Sequence, residues 1–345
     1  MTRPKIVFLY SEIAGYFLAS VEALAKKADV LIVRWEVNKE APFEFTIPDG
    51  IEVIVKSALP LDQLSKKVHS FDPNVVVCSG WMDKDYLKIV KSFKKKIPAI
   101  LTLDNHWTGD MKQRMAGLLS PFIFKNKFTH AWVPGEPQKQ FAEKLGFKGK
   151  TMLGFYCADV KLYDDIYKGQ NPEFKKQFLY VGRYVKHKGI FEMWQAFVEL
   201  QNESPSDWEM LCIGTGEEWD NKIEHDKIKH IGFVQPANMA QYLKQKSVYL
   251  LPSLFEPWGV TVHEFAITSC PLILSKNVGA HELFIEQVKN GVLLNKVSVK
   301  ELKEAMKLMM SKTDSQLLEM SEVSHELGMA YTPEMWAERL LSLIQ

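Results

Sequence analysis

Cysteine is scarce and scattered in this sequence: Cys78, Cys157, Cys212 and Cys270 are the only four in 345 residues. No pair has zinc-ligand or redox-motif spacing and most sit in apolar runs, so they read as reduced core residues of a cytosolic protein. Long apolar runs are also missing. None approaches the ~20 residues a membrane span needs, and the N-terminus enters a strand with no signal-peptide core. The expectation is a soluble chain, cytoplasmic or at the inner face of a membrane. Net charge is nearly absent, with 43 Lys/Arg against 42 Asp/Glu, and no nucleic-acid partner is expected.

The charge is unevenly spread. Up to residue 155 there are 23 Lys/Arg against 16 Asp/Glu; beyond it there are 20 against 26. A basic first half suits an anionic partner, such as a phospholipid surface or a lipid-phosphate acceptor, although solvated helix faces would produce the same excess. Lys84, Lys88, Lys91, Lys94, Lys95 and Lys96 line one helix and its end, and the segment 114–128 joins an apolar strip to basic flanks. Together these resemble an interfacial patch; an ordinary core helix is the alternative for the second.

Short Val/Ile/Leu runs alternate with helical stretches in both halves. The first half reads as strands at Lys5–Tyr10, 30–34, 51–56, Val75–Ser79, 99–103 and 131–134, with helices near 16–27, Leu61–Ser70, 84–95 and 138–145. That is the pattern of a mostly parallel, doubly wound α/β sheet, whose site lies beyond the strands' carboxyl ends. The segment from about 155 to 176 is polar without sustained periodicity and reads as a connection between domains. Asp83-Lys84-Asp85 opens a helix, where capping explains the carboxylates better than a metal does, so no metal site is expected.

The most informative stretch is 251–266. An apolar strand ends near Pro252, a Pro/Gly loop turns, and a helix starts near Val260. Glu256 precedes the turn and Glu264 lies on the helix, seven residues between them. The Gly259, Val260 and Thr261 amides would be the unpaired donors of a helix N-terminus, which attract anions. A carboxylate on either side of an anion site suits a nucleotide sugar.

Glu256-Pro257-Trp258-Gly259…Glu264 resembles the Glu-x7-Glu signature of retaining GT-B glycosyltransferases of the family-4 group. Gly182-Arg183…Lys188-Gly189 is similar to that family's Gly-Arg-x4-Lys-Gly motif. The resemblance implies two Rossmann-like domains facing across a cleft: 1–155 binding the acceptor, 156–330 binding the nucleotide sugar, and 331–345 a helix crossing back to the first. It implies that Glu256 contacts the donor sugar, Glu264 the ribose, Arg183 and Lys188 the diphosphate, and the Trp258, Gly259, Val260 and Thr261 backbone the phosphates. Gly214 matches a small turn beside the nucleotide, and Phe233 and Val234 match the segment facing the base. His106, at a strand's polar carboxyl end beside Asp104 and Asn105, sits where the family places a histidine facing the reacting sugar. The family's first glycine-rich loop is represented only by Gly15, as readily a plain turn residue.

The implied activity is retaining, metal-independent transfer of a sugar from a UDP- or GDP-linked donor to a hydroxyl of a glycan or lipid-linked acceptor, as in polysaccharide assembly, with no cofactor. A sugar-nucleotide 2-epimerase of the same fold and a non-catalytic nucleotide-sugar-binding subunit are the alternatives.

Overall fold

The structure, a computed structural model, describes residues 3–37, 46–124 and 126–344. The chain divides into two compact units, Met1–Asp159 with Thr332–Gln345, and Val160–Tyr331.

The first unit runs β1 (Lys5–Tyr10), α1 (Gly15–Ala25), β2 (Asp29–Arg34), β3 (Ile51–Val55), α2 (Leu61–Ser70), β4 (Val75–Ser79), α3 (Lys84–Ser92), β5 (Ala99–Thr102), α4 (Met111–Phe124), β6 (His130–Trp132), α5 (Glu136–Ala142) and β7 (Thr151–Met152). All pairings are parallel, in the order β3-β2-β1-β4-β5-β6-β7. Ile6 to Leu9 and Val75 to Val77 are fully buried, which is why these strands are continuously apolar rather than alternating: helices cover both faces. Asp83 caps α3 by accepting from the Asp85 and Tyr86 amides. It also accepts from Trp35 Nε1 at 2.8 Å and Lys56 Nζ at 2.7 Å, so its carboxylate is fully employed.

The second unit runs α6 (Val160–Lys168), β8 (Asn171–Val181), α7 (Ile190–Glu203), β9 (Glu209–Ile213), β10 (Ile228–Ile231), β11 (Gln245–Leu251), α8 (Val260–Ile267), β12 (Leu272–Ser275), α9 (His281–Phe284), β13 (Gly291–Leu294), α10 (Val299–Met310) and α11 (Asp314–Met329). Its parallel sheet has the order β10-β9-β8-β11-β12-β13. The segment 155–176 is therefore not a structureless connection. It holds α6 and the start of β8; the buried Val160, Tyr163 and Ile166 of α6 recur every third residue between charged ones, a helical spacing confined to nine residues.

The last helix, α12 (Pro333–Leu341), belongs to the first unit. Trp336 is buried there, its ring 6.1 Å from Phe8 and 4.7 Å from Trp132, and its Nε1 donates to the Phe155 carbonyl at 2.7 Å.

Helices α8 and α11 cross so closely that a Cβ on Gly328 would lie 2.5 Å from the Ile267 nitrogen. At this crossing His263 is buried, with its Nε2 2.8 Å from the Gly328 carbonyl, and Nε2 carries the proton. Burial pushes its pKa down to about 4. The unfolded chain takes a proton on this histidine near pH ~6.5, whereas the folded chain resists until about 4, so stability falls as pH drops through that window. The expected contribution to the slope is up to about 1.4 kcal/mol per pH unit. Urea unfolding of wild type and His263→Gln at pH values across the window checks this; equal slopes would exclude His263 as the source.

Candidate functional site

Strands β8 and β11 are neighbours, and the connections run outward in opposite directions from them, with β9 and β10 on one side and β12 and β13 on the other. Such a switch point opens a crevice at the carboxyl ends of the two central strands. Two loops leave those ends. One carries Gly182 to Gly189 after β8; the other carries Pro252 to Gly259 after β11.

The loops are held together by backbone. The Leu254 and Phe255 amides donate to the His187 carbonyl at 2.8 and 3.3 Å. Gly189 adopts φ +69°, and a Cβ there would sit 2.2 Å from the Pro252 carbonyl oxygen. The β12 loop joins in: Glu256 N donates to Asn277 O at 3.2 Å, Gly279 N to Glu256 O at 3.1 Å, and Ala280 N to Trp258 O at 2.9 Å. Trp258 is buried, so its side chain is a core anchor and only its backbone faces the loop.

This scaffold brings Lys188 and Glu256, 68 residues apart, into a hydrogen-bonded ion pair, Lys188 Nζ donating to Glu256 Oε2. Both side chains are about seven-eighths buried, at 13% and 14% exposure. A pair so far from water attracts strongly but has lost hydration, so a further anion meeting Lys188 would be bound in competition with Glu256. Arg183 is exposed at the loop's start. His187 feels both cations: burial first, then Lys188 and Arg183, push its pKa below the ordinary range, against Glu256 and Glu217.

Helix α8 begins at Val260 behind Gly259, whose φ of +89° places it in the left-handed region. The Val260 and Thr261 amides precede any intrahelical acceptor. Thr261 Oγ1 accepts from the buried Tyr249 hydroxyl at 2.7 Å. Burial raises the Tyr249 pKa, the Thr261 hydrogen bond works against that rise, and the Glu264 and Glu256 carboxylates add to it. The two glutamates therefore lie within electrostatic reach of one tyrosine hydroxyl.

Beside these loops, Gly214 ends β9 with φ +139°, and a Cβ on it would lie 2.0 Å from the Gly182 carbonyl oxygen. Its amide lies 2.9 and 3.2 Å from the Ile231 and Gly232 carbonyls. Phe233 and Val234 thus follow the end of edge strand β10 next to the Gly214 turn, with Phe233 exposed. The second unit gathers Arg183, Lys188, Gly214, Phe233, Val234, Glu256, Trp258, Gly259, Val260, Thr261 and Glu264 around the carboxyl ends of β8 to β11.

His106 and Gly15 belong to the first unit. His106 follows β5, half-buried, and burial lowers its pKa. Neighbouring Asp104 accepts from the Tyr156 hydroxyl at 3.1 Å, and Tyr156 packs edge-on against Tyr16 at 5.6 Å. Gly15 opens α1 past β1 with an ordinary backbone, and a Cβ on it would meet nothing within 4 Å; the fold itself does not require glycine there. Sequence reasoning missed His187, Tyr249 and Tyr156. His187 stood between two motif positions, and Tyr249 is a polar tip in an otherwise apolar strand; Tyr156 carried no signal.

Residues 164–323 match the family described as Glycosyl transferases group 1. The chain is 31% identical over 134 residues, 37% of its own length and 33% of the relative's, to alpha-monoglucosyldiacylglycerol synthase of Acholeplasma laidlawii. It spans about a third of the length of the curated relatives it matches. Among solved structures it is similar to sucrose-phosphate synthase from Thermosynechococcus elongatus, with TM-score 0.72 and 17% identity, covering 99% of this chain and 98% of that one. It is also similar to Anabaena HepE in complex with UDP and glucose, with TM-score 0.73 and 15% identity, covering 98% of each. These likenesses show the GT-B fold over the whole chain.

Gly189→Ala should lower stability by about 2–4 kcal/mol, from left-handed strain plus the clash with Pro252. Gly15→Ala, where a side chain meets nothing, should stay within about 0.5 kcal/mol of wild type. Urea midpoints measure both; equal effects would show that the two loops do not need their close approach.

Proposed function

We propose, from the match of residues 164–323 to the group 1 glycosyl transferases, that this chain transfers a sugar from a nucleotide-diphosphate donor, UDP- or GDP-linked, to a hydroxyl acceptor with retention of anomeric configuration. The observation that carries this reading is the Lys188–Glu256 pair beside the α8 N-terminus at the β8/β11 switch point. Lys188, Arg183 and the Val260 and Thr261 amides take the diphosphate, whose negative charge grows as the leaving group departs. With two side-chain cations assigned to that charge, the reading calls for no metal ion and no cofactor. Glu256, displaced from Lys188 by phosphate, turns to the donor-sugar hydroxyls. Glu264, one turn into α8, takes the ribose. Gly214 and the Phe233–Val234 backbone flank the nucleotide.

The anomeric C1–O bond to phosphate breaks and a C1–O bond to the acceptor forms on the same face. The acceptor's proton passes to the departing phosphate oxygen, so no protein nucleophile is needed. On the first unit, His106 is assigned to the acceptor or reacting sugar; Gly15 leaves open backbone at the end of β1. The name of the Acholeplasma relative, a diacylglycerol glycolipid synthase, and the basic first half support a glycan or lipid-linked acceptor, and a peripheral place at the cytoplasmic face of a membrane. Among the described residues no helix is long and apolar enough to cross one.

The test is proton NMR of the protein with UDP-, GDP-, ADP- and dTDP-sugars, read before released sugar mutarotates. Slow release of a sugar with the donor's own anomeric configuration supports the proposal and names the donor; inversion at C2 would replace it with epimerisation. Glu256→Ala should reduce transfer by more than about a hundredfold with nucleotide affinity within a few-fold of wild type, whereas Glu264→Ala should weaken nucleotide binding about tenfold or more. Activity of Glu256→Ala within a few-fold of wild type would remove that residue from the mechanism.

A further inference from the structure

Helix α4 is apolar on two opposite sides. One side packs into the first unit's core through Ala116, Ser120, Ile123 and Phe124. The Lys144 carbonyl lies against this side at ordinary contact distance, 3.6 Å from where a Cβ on Gly117 would be. Pro121 has no N–H for the Gly117 carbonyl, and the Ser120 hydroxyl donates to it instead at 2.7 Å. The inner side is thus a finished contact.

The outer side is not covered. Met111, Met115, Leu118 and Phe122 recur at spacings of four, three and four, so they form one stripe, with Leu119 beside it. Met111 is 74% exposed, Leu118 71% and Phe122 85%. Single exposed apolar residues are ordinary, but five on one face of one helix are not.

The basic character of the helix and of the sequence on either side of it identifies the occupant of this stripe. Residues 84–150 hold 14 Lys/Arg against 5 Asp/Glu, a net +9. The basic excess of the first 155 residues is +7, so this segment contains all of it, and the remainder is slightly acidic. Lys112 and Arg114 are exposed on α4 itself. Past its end, Lys127 is held below the usual lysine range by burial and by neighbouring Lys91, a site already crowded with positive charge. Of the acids, Asp110 is occupied, accepting from the Gln113 amide at 2.9 Å and the Thr108 hydroxyl at 2.7 Å. A second copy of the chain docked on this face would bring like charges together.

We propose that α4 is an interfacial helix that seats its Met111–Phe122 stripe in the headgroup boundary of an anionic bilayer, with Lys112 and Arg114 on its flanks against lipid phosphates. Lys125, in the same strip, lies outside the described residues. This deepens the lipid-linked-acceptor reading and rests on it only for its purpose. Binding is measured without donor, so failed vesicle binding and failed transfer are separate results.

The experiment is flotation of the purified full chain with vesicles of phosphatidylcholine alone and of phosphatidylcholine mixed with phosphatidylglycerol. Binding to the mixed vesicles is expected, weakened by salt and at least about tenfold weaker without phosphatidylglycerol. Leu118→Asp/Phe122→Asp should lose about tenfold or more of that binding with an unchanged urea midpoint, since both side chains are already in water. Lys112→Glu/Arg114→Glu should reduce the preference for phosphatidylglycerol. Absence of wild-type binding, or undiminished binding by the Asp pair, would overturn the proposal. So would a soluble dimer that the Asp pair dissociates, which would assign the stripe to self-association.

Discussion

Everything assigned to the donor depends on how closely two loops meet where β8 and β11 end. The approach is a matter of backbone: a carbonyl at Pro252 occupies the space a side chain on Gly189 would need, and the carbonyl of His187 receives two amides from the opposite loop. Only after that contact is made can a lysine and a glutamate far apart in sequence form an ion pair. Glycine is required here because a carbonyl sits where a Cβ would go. The residues that carry charge and the residues that make room for them are adjacent in the chain, Lys188 beside Gly189 and Glu256 near Gly259, so each motif encodes a reactive group together with the backbone shape that aims it.

The ion pair is balanced rather than strong. Two charges withdrawn from water recover their lost hydration only through each other, and an arriving diphosphate offers the lysine a better partner while leaving the glutamate free for hydroxyls. The same few atoms thus have two satisfied arrangements, one without donor and one with it. The tyrosine hydroxyls beneath, buried and hydrogen-bonded to Thr261 and to the Arg183 carbonyl, keep the floor of the site fixed while the charges exchange partners.

Much of the fold was legible because both sheets are parallel and covered on both faces. The runs Val75–Ser79 and Leu61–Ser70 were read to the residue, the first as an unbroken apolar strand and the second from helical spacing. The start of α8 at Val260 follows from the glycine before it. Helix α11 escaped notice although Thr313 and Gln316 form a capping box at its start; its buried face includes Ser321, Ser324 and Gly328, small and polar residues that dilute the apolar stripe. The two-residue strand β7 is too short for any pattern. At the site, motif spacing placed two glutamates on a turn and a helix, but no periodicity joins residues 188 and 256. That contact exists only because β8 and β11 pair side by side.

The route of the chain has a consequence for its birth. The first unit is interrupted after Asp159 and resumed at Thr332, and the helix that resumes it inserts Trp336 among Phe8, Phe17 and Trp132. During synthesis from the N-terminus, the whole intervening unit emerges from the ribosome and can close its own core first. The earlier-made unit must wait, with an aromatic gap in its centre, until Trp336 has been translated. The half that is made first is therefore completed second.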